Sequence, residues 1–191
     1  MPIWRNAARA LHTAALGVWL GVVVMTAAAA AIIFPTVKAL APTLPAFSAY
    51  TGDHWMVAAG KVADRIFAIS DAAQFACAIL AGAGLVLARP MGHASWRTLR
   101  TALRITALSA AITALAYQLF VLSPRMSQNL KGYWAAAERG DNTAAASLRA
   151  AFNADHPTAT IVLGVLAVIV LACLPLAAWP ETEPASPRGP T

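Results

Sequence analysis

The sequence predicts an all-α integral membrane four-helix bundle, and three observations carry that expectation. The first is composition: of 191 residues, 59% are apolar and only 12% charged, against roughly 45–50% and about 25% in soluble domains. With a mean hydropathy of +0.63, too few polar residues remain to cover a soluble particle, and a disordered chain is excluded on the same ground. The second is four apolar runs, each long enough for the ~20 helical residues that cross a hydrocarbon core of about 30 Å. The third is a proline just beyond the end of each run (Pro35, Pro90, Pro124 and Pro180), where helices commonly terminate.

The runs are taken in order. Span 1 covers about 11–34, from Leu11 to Phe34 without a charge. A cleaved signal peptide is the rival reading, with Arg5 and Arg9 as its basic region and the alanines 27–30 as its cleavage site. Apolarity continues through Ile32, Ile33 and Phe34, so retention as a span is expected. Span 2 covers about 62–88, rising from Lys61, Asp64 and Arg65 into the apolar run at Ile66. Span 3 covers about 101–123 and span 4 about 158–179. Backbone in lipid must satisfy its own hydrogen bonds, so all four are helices. Residues 1–179 then form one membrane domain, and 180–191, with four prolines, a disordered tail.

The connections differ. Residues 35–60 are a loop with Pro35, Pro42 and Pro45, and 89–100 a short basic hop. The 124–157 connection is long enough for two short surface helices, 127–138 and 142–153, with Arg139-Gly140-Asp141 as the turn between them. Trp134, Leu148 and Phe152 offer these helices a sparse apolar face for the membrane interface or the bundle end.

A net charge of +6 and a pI near 10.0 do not indicate nucleic acid, because no basic stripe with interleaved aromatics is present. The basic residues flank the spans, as topology signals do. Arg5, Arg9, Arg89, Arg97, Arg100, Arg104 and Arg188 lie on one side; Lys38, Lys61, Arg65, Arg125, Lys131, Arg139 and Arg149 lie on the other. The dense short hop outweighs charges dispersed over long loops, so both termini are expected in the cytoplasm of an inner-membrane protein.

Helix faces at 100° per residue suggest what the spans present. Gly17-x-x-x-Gly21 in span 1, with Gly82 in span 2 and Gly164 in span 4, fits small-residue helix packing, within the bundle or between copies. Asp71 lies about 10 Å inside span 2. An acid at depth costs on the order of 2.5–3.5 kcal/mol on insertion scales, so it should face the interior, find partners or stay protonated. Gln74 is one turn deeper, and Gln118 and Tyr117 of span 3 are expected at comparable depth. This intramembrane polar cluster reads as structural glue or as an ion, proton or small-solute site. Asp64, Arg65, Arg125 and His156 form a polar set at the outer end. His12 and His93 mark one end and His54 and His156 the other, an arrangement that could ligate haem, although no ligand spacing supports a metal. Cys77 and Cys173 read as packed small hydrophobes. No nucleophile elbow, P-loop or dinucleotide fingerprint is present.

The order of features resembles a bacterial four-span family, domain of unknown function 4149, similar to transmembrane protein 205. The likeness rests on Trp19-Leu20-Gly21, on Phe34, and on Gly60 to Phe67 leading into span 2. It also rests on Ser123-Pro124-Arg125-Met126 and on Phe152 with His156. Span 4 departs from that pattern at Pro157-Thr158, where the family favours Ser and Asn. The resemblance implies the four-span fold and topology and supplies no reaction. The sequence therefore points to a non-enzymatic accessory or interaction component without cofactor, contacting lipid and a membrane-protein partner or a second copy. A small transporter using the polar cluster is the second reading and a haem-binding redox protein the third.

Overall fold

The computed structural model describes residues 3–88 and 99–178, and every regular element among them is helical. Four helical rods are long and apolar enough to cross a membrane, and together they make the all-α, four-helix arrangement of a multi-pass membrane protein. Residues 89–98 of the basic hop, His93 among them, the end of span 4 at Trp179 and the proline-rich tail lie outside the described residues.

The rods are longer than the apolar runs. Helix α1 spans Ile3–Leu40 and carries Pro35 inside it, so Pro35 does not end the helix. The end comes at Ala41, whose φ of 44° is left-handed and which Pro42 follows. Helix α2 spans His54–Leu87 and begins eight residues before position 62.

Span 3 is not stopped by Pro124 either. Helix α3 (Leu99–Tyr117) runs through a π-turn (Gln118–Leu122) into α4 (Ser123–Glu138) as one rod. A proline at position 124 cannot donate to the carbonyl four residues back, and its ring would collide with it. The wider i→i+5 turn, in which the Ser123 N–H reaches the Gln118 carbonyl, opens the helix where that collision would fall. Helix α5 spans Asn142–Ala178 with Pro157 and Pro175 inside it. The two expected surface helices are thus continuations of spans 3 and 4. Arg139 and Gly140 do form the turn between α4 and α5. Gly140 takes φ +74°, and a Cβ there would lie 2.7 Å from that of Ala49.

Two cores result. The larger lies among the spans and gathers Leu16, Trp19, Val23, Cys77, Ala81, Leu108, Ala111, Leu115, Leu166, Val170 and Cys173. The second sits beyond them, where Phe47, Tyr50 and Val57 meet Tyr133, Ala136, Ala137 and Ala145, with Trp134 and Leu148 against them. A 38-residue helix is about 57 Å long, far more than about 30 Å of hydrocarbon, so the rods extend past the bilayer and build a cap.

Within the chain, the expected packing glycines are not points of close helix approach. A Cβ at Gly17, Gly21, Gly82 or Gly164 would meet nothing within 4 Å. Gly84 is the close approach instead: a Cβ there would lie 2.7 Å from the His12 backbone nitrogen and 2.9 Å from the Ala8 carbonyl oxygen. Only where two backbones touch is a missing side chain needed. Elsewhere the centre of a four-helix bundle is wide and is filled by volume, here Trp19, Leu16, Leu122 and Leu166, all below 2% exposed.

Candidate functional site: the polar seam between the helices

Residues 12, 19 and 26 of α1 recur every seven positions on its buried side, and all three side chains can hydrogen-bond. His12 donates from Nδ1 to the Ala81 carbonyl at 2.8 Å, beside the close approach at Gly84. The Trp19 indole N–H donates to Gln74 Oε1 at 3.3 Å, and Gln74 Nε2 donates to Ser70 Oγ at 3.4 Å. Ser70 and Thr26 share a short hydroxyl–hydroxyl contact. Because Thr26 gives its proton to the Val22 carbonyl at 2.7 Å, Ser70 is the donor in that pair. Hydrogen bonds therefore run in one direction, from Gln74 through Ser70 and Thr26 to the α1 backbone. Buried polar groups are tolerated when partnered, and this chain clamps α2 against α1.

Asp71 stands beside the chain, half-buried, and accepts from Ser123 Oγ at 2.9 Å. Its partner is thus Ser123 on α4, five positions beyond Gln118, and Gln74 is committed to Trp19 and Ser70. Gln118 lies one helical step from buried Leu115 and Leu122, and its Oε1 is buried without a hydrogen-bond partner. Tyr117 is 40% exposed on the outer surface. The expected cluster of four therefore separates: Gln74 in the clamp, Asp71 on Ser123, Gln118 inside, Tyr117 outside.

The outer polar set also divides. Arg125 grips Asp155, with Nε donating to Oδ2 at 2.7 Å and NH2 to Oδ1, and this carboxylate raises the guanidinium pKa. His156 is exposed and meets Phe152 edge to face. Asp64 is half-buried and Arg65 exposed.

In the cap, the phenols of Tyr50 and Tyr133 meet at 3.0 Å, and burial pushes the Tyr133 pKa upward. His54 accepts from the Leu44 N–H at Nδ1 and donates from Nε2 to the Tyr50 carbonyl, latching the 41–53 loop. Asn142 accepts from the Thr51 N–H and donates to the Ala49 carbonyl. Lys61 rests over the rings of Phe47 and Trp134, 4.8 and 5.9 Å from their centroids. Among the described residues no group of three or more His, Cys, Asp or Glu could hold a metal.

Sequence reasoning missed Thr26, Ser70 and Ser123 as partners; it placed His12 at one end of the bundle and did not foresee that the side chain is buried there, 5% exposed. The seven-residue spacing of His12, Trp19 and Thr26 was the signal available. Comparison with protein-family models, curated proteins and solved structures finds no match to this chain.

Proposed function

We propose that this chain is a non-enzymatic accessory component of the inner membrane, with both termini cytoplasmic, that works by docking another membrane helix. The carrying observation is the outward face of α1. Leu11, Val18, Met25 and Ile32, each at least 38% exposed, recur every seven residues. Beside them run Ala10, Ala14, Gly17, Gly21 and Ala31, also exposed. Large residues alternating with small ones at this period match what a packed partner helix requires, whereas lipid demands no period. The shared order of features also supports placing the chain with the four-span family that it resembles. The test is crosslinking in native membranes. Gly21→Cys should form an adduct, with a second copy or with another membrane protein, while Val86→Cys on the exposed side of α2 should not. Absence of any Gly21→Cys adduct overturns this reading.

A second reading, ion handling, is favoured by Asp71 accepting a hydrogen bond at depth from Ser123. Asp71-dependent ion flux in liposomes would support it over the first.

A further inference from the structure

The end of the bundle where α1 begins carries charge that the polar seam does not use. Arg5 and Arg9 stand one turn apart on α1, and Arg100 and Arg104 one turn apart on α3, a spacing at which like charges repel. Contacts between helices bring four helix ends to this level. A Cβ at Gly84 of α2 would meet Ala8 and His12 of α1. Arg104 acts electrostatically on the same His12, and its guanidinium donates to the Ala177 carbonyl at the end of α5. Arg9 adjoins Ala8, Arg5 lies one turn before it, and Arg100 is the turn before Arg104. All four arginines are half-buried, and Arg5 Nε is buried without a hydrogen-bond partner among the described residues. Among the described residues no Asp or Glu lies at this end; the nearest along any helix is Asp71, about 20 Å from Gly84 along α2.

The surroundings of the arginines select the anion. Trp4 of α1 adjoins Arg5, and Leu99 and Leu103 of α3 adjoin Arg100 and Arg104; the three are 49%, 77% and 46% exposed. A small soluble anion gains nothing from such side chains, whereas acyl chains cover them. An indole beside basic residues at the end of an apolar span marks the headgroup level of a bilayer, and basic pockets between helix ends hold anionic headgroups. A guanidinium carries five N–H donors, so one that caps a helix can also serve a phosphate. We propose that this end of the bundle binds the headgroup phosphate of an anionic phospholipid. Arg5, Arg9, Arg100 and Arg104 supply the charge, and Trp4, Leu99 and Leu103 meet the acyl chains. The site lies apart from the α1 face proposed for docking and does not depend on it.

Thermal unfolding of the full chain in a neutral detergent tests the proposal, with dioleoyl phosphatidylglycerol compared against dioleoyl phosphatidylcholine. The expected result is a saturable rise in Tm with phosphatidylglycerol that exceeds any rise with phosphatidylcholine, as for a ligand that binds the folded state alone. Glycerol phosphate at the same concentration should not reproduce it. The double variant Arg5→Gln with Arg9→Gln should raise the half-saturating phosphatidylglycerol by about fivefold for each arginine removed, the worth of one basic residue against an anionic surface. Arg125→Gln, beyond the π-turn toward the cap, should leave the response unchanged. Native mass spectrometry gives a second readout for any variant that melts poorly, and the double variant should retain less phosphatidylglycerol per chain than the wild type. Equal curves with the two lipids, an equal rise with glycerol phosphate, undiminished binding in the double variant, or an equal loss in Arg125→Gln would each overturn the site.

Discussion

The indole nitrogen of Trp19 and the side-chain oxygen of Gln74 meet at 3.3 Å across the α1–α2 seam, at positions 0% and 1% exposed. This contact anchors the polar chain, because Gln74 bonds both to Trp19 of α1 and to Ser70 of its own helix.

Gln74→Leu should therefore destabilise the bundle by leaving the Trp19 N–H buried and unpaired. The cost in a protein interior is about 1–3 kcal/mol, and hydrogen bonds within membranes average nearer 0.6 kcal/mol. The double variant Gln74→Leu with Trp19→Phe should recover part of the loss, since both partners are then apolar. Unfolding in detergent reads both, and a double variant weaker than the sum of the singles would contradict the pairing.

Glycine substitutions should separate sharply. At Gly84 even a methyl would press on the α1 backbone at 2.7 Å, where no flexible side chain can yield, so Gly84→Ala should lower Tm by several degrees, as strain of about 1 kcal/mol or more would. Gly82→Ala, with open space around it, should be neutral or slightly stabilising through helix propensity. Equal melting curves for the two variants would refute the close approach.

Alkaline pH should loosen the cap. The folded-state pKa of Tyr133 is raised from its ordinary 10.0, chiefly by burial and then by its bond to Tyr50. In that case the unfolded chain loses its proton first. The stabilisation is full below about pH 10 and declines as pH rises above it. Tyr133→Phe removes this titration. The Tm difference between wild type and Tyr133→Phe should shrink above pH 10, and a constant difference would deny the burial of the phenol.

Gly140→Ala should weaken the α4–α5 turn, since φ of +74° is strained for any residue with a Cβ and Ala49 already fills the space. A loss above about 1 kcal/mol is expected, and proteolysis near residue 140 should accelerate.

Topology is best tested at Glu138, which is exposed at the end of α4. With the termini cytoplasmic, Glu138→Cys should react with an impermeant thiol reagent only from the side opposite the cytoplasm.

The number of helices and their class were legible because lipid imposes a length and a polarity that composition alone reveals. The Arg139–Asp141 turn was legible too, since glycine between two helical patterns has few other uses. Helix ends were not. Proline stops a helix only where nothing repairs the lost hydrogen bond, and the π-turn before Pro124 and the long rods around Pro35 and Pro157 are repairs that depend on neighbours. Nor could periodicity assign faces. The small residues of α1 and the large ones each recur at a helical spacing, and only packing against α2 and α5 decided that Leu16, Trp19 and Val23 point inward while Gly17 and Gly21 point out. Asp71 and Gln74 were visible as polar residues at depth because the membrane makes them costly. Their partners Ser70, Ser123 and Thr26 were not, because hydroxyls are common in membrane helices and acquire meaning only when a second helix sets another polar group within 3 Å. The sequence by itself determined that four helices must cross a bilayer, through the hydrophobic effect acting on each segment. Which polar groups meet was decided by tertiary structure, because a hydrogen bond depends on the rotation and depth of two helices at once.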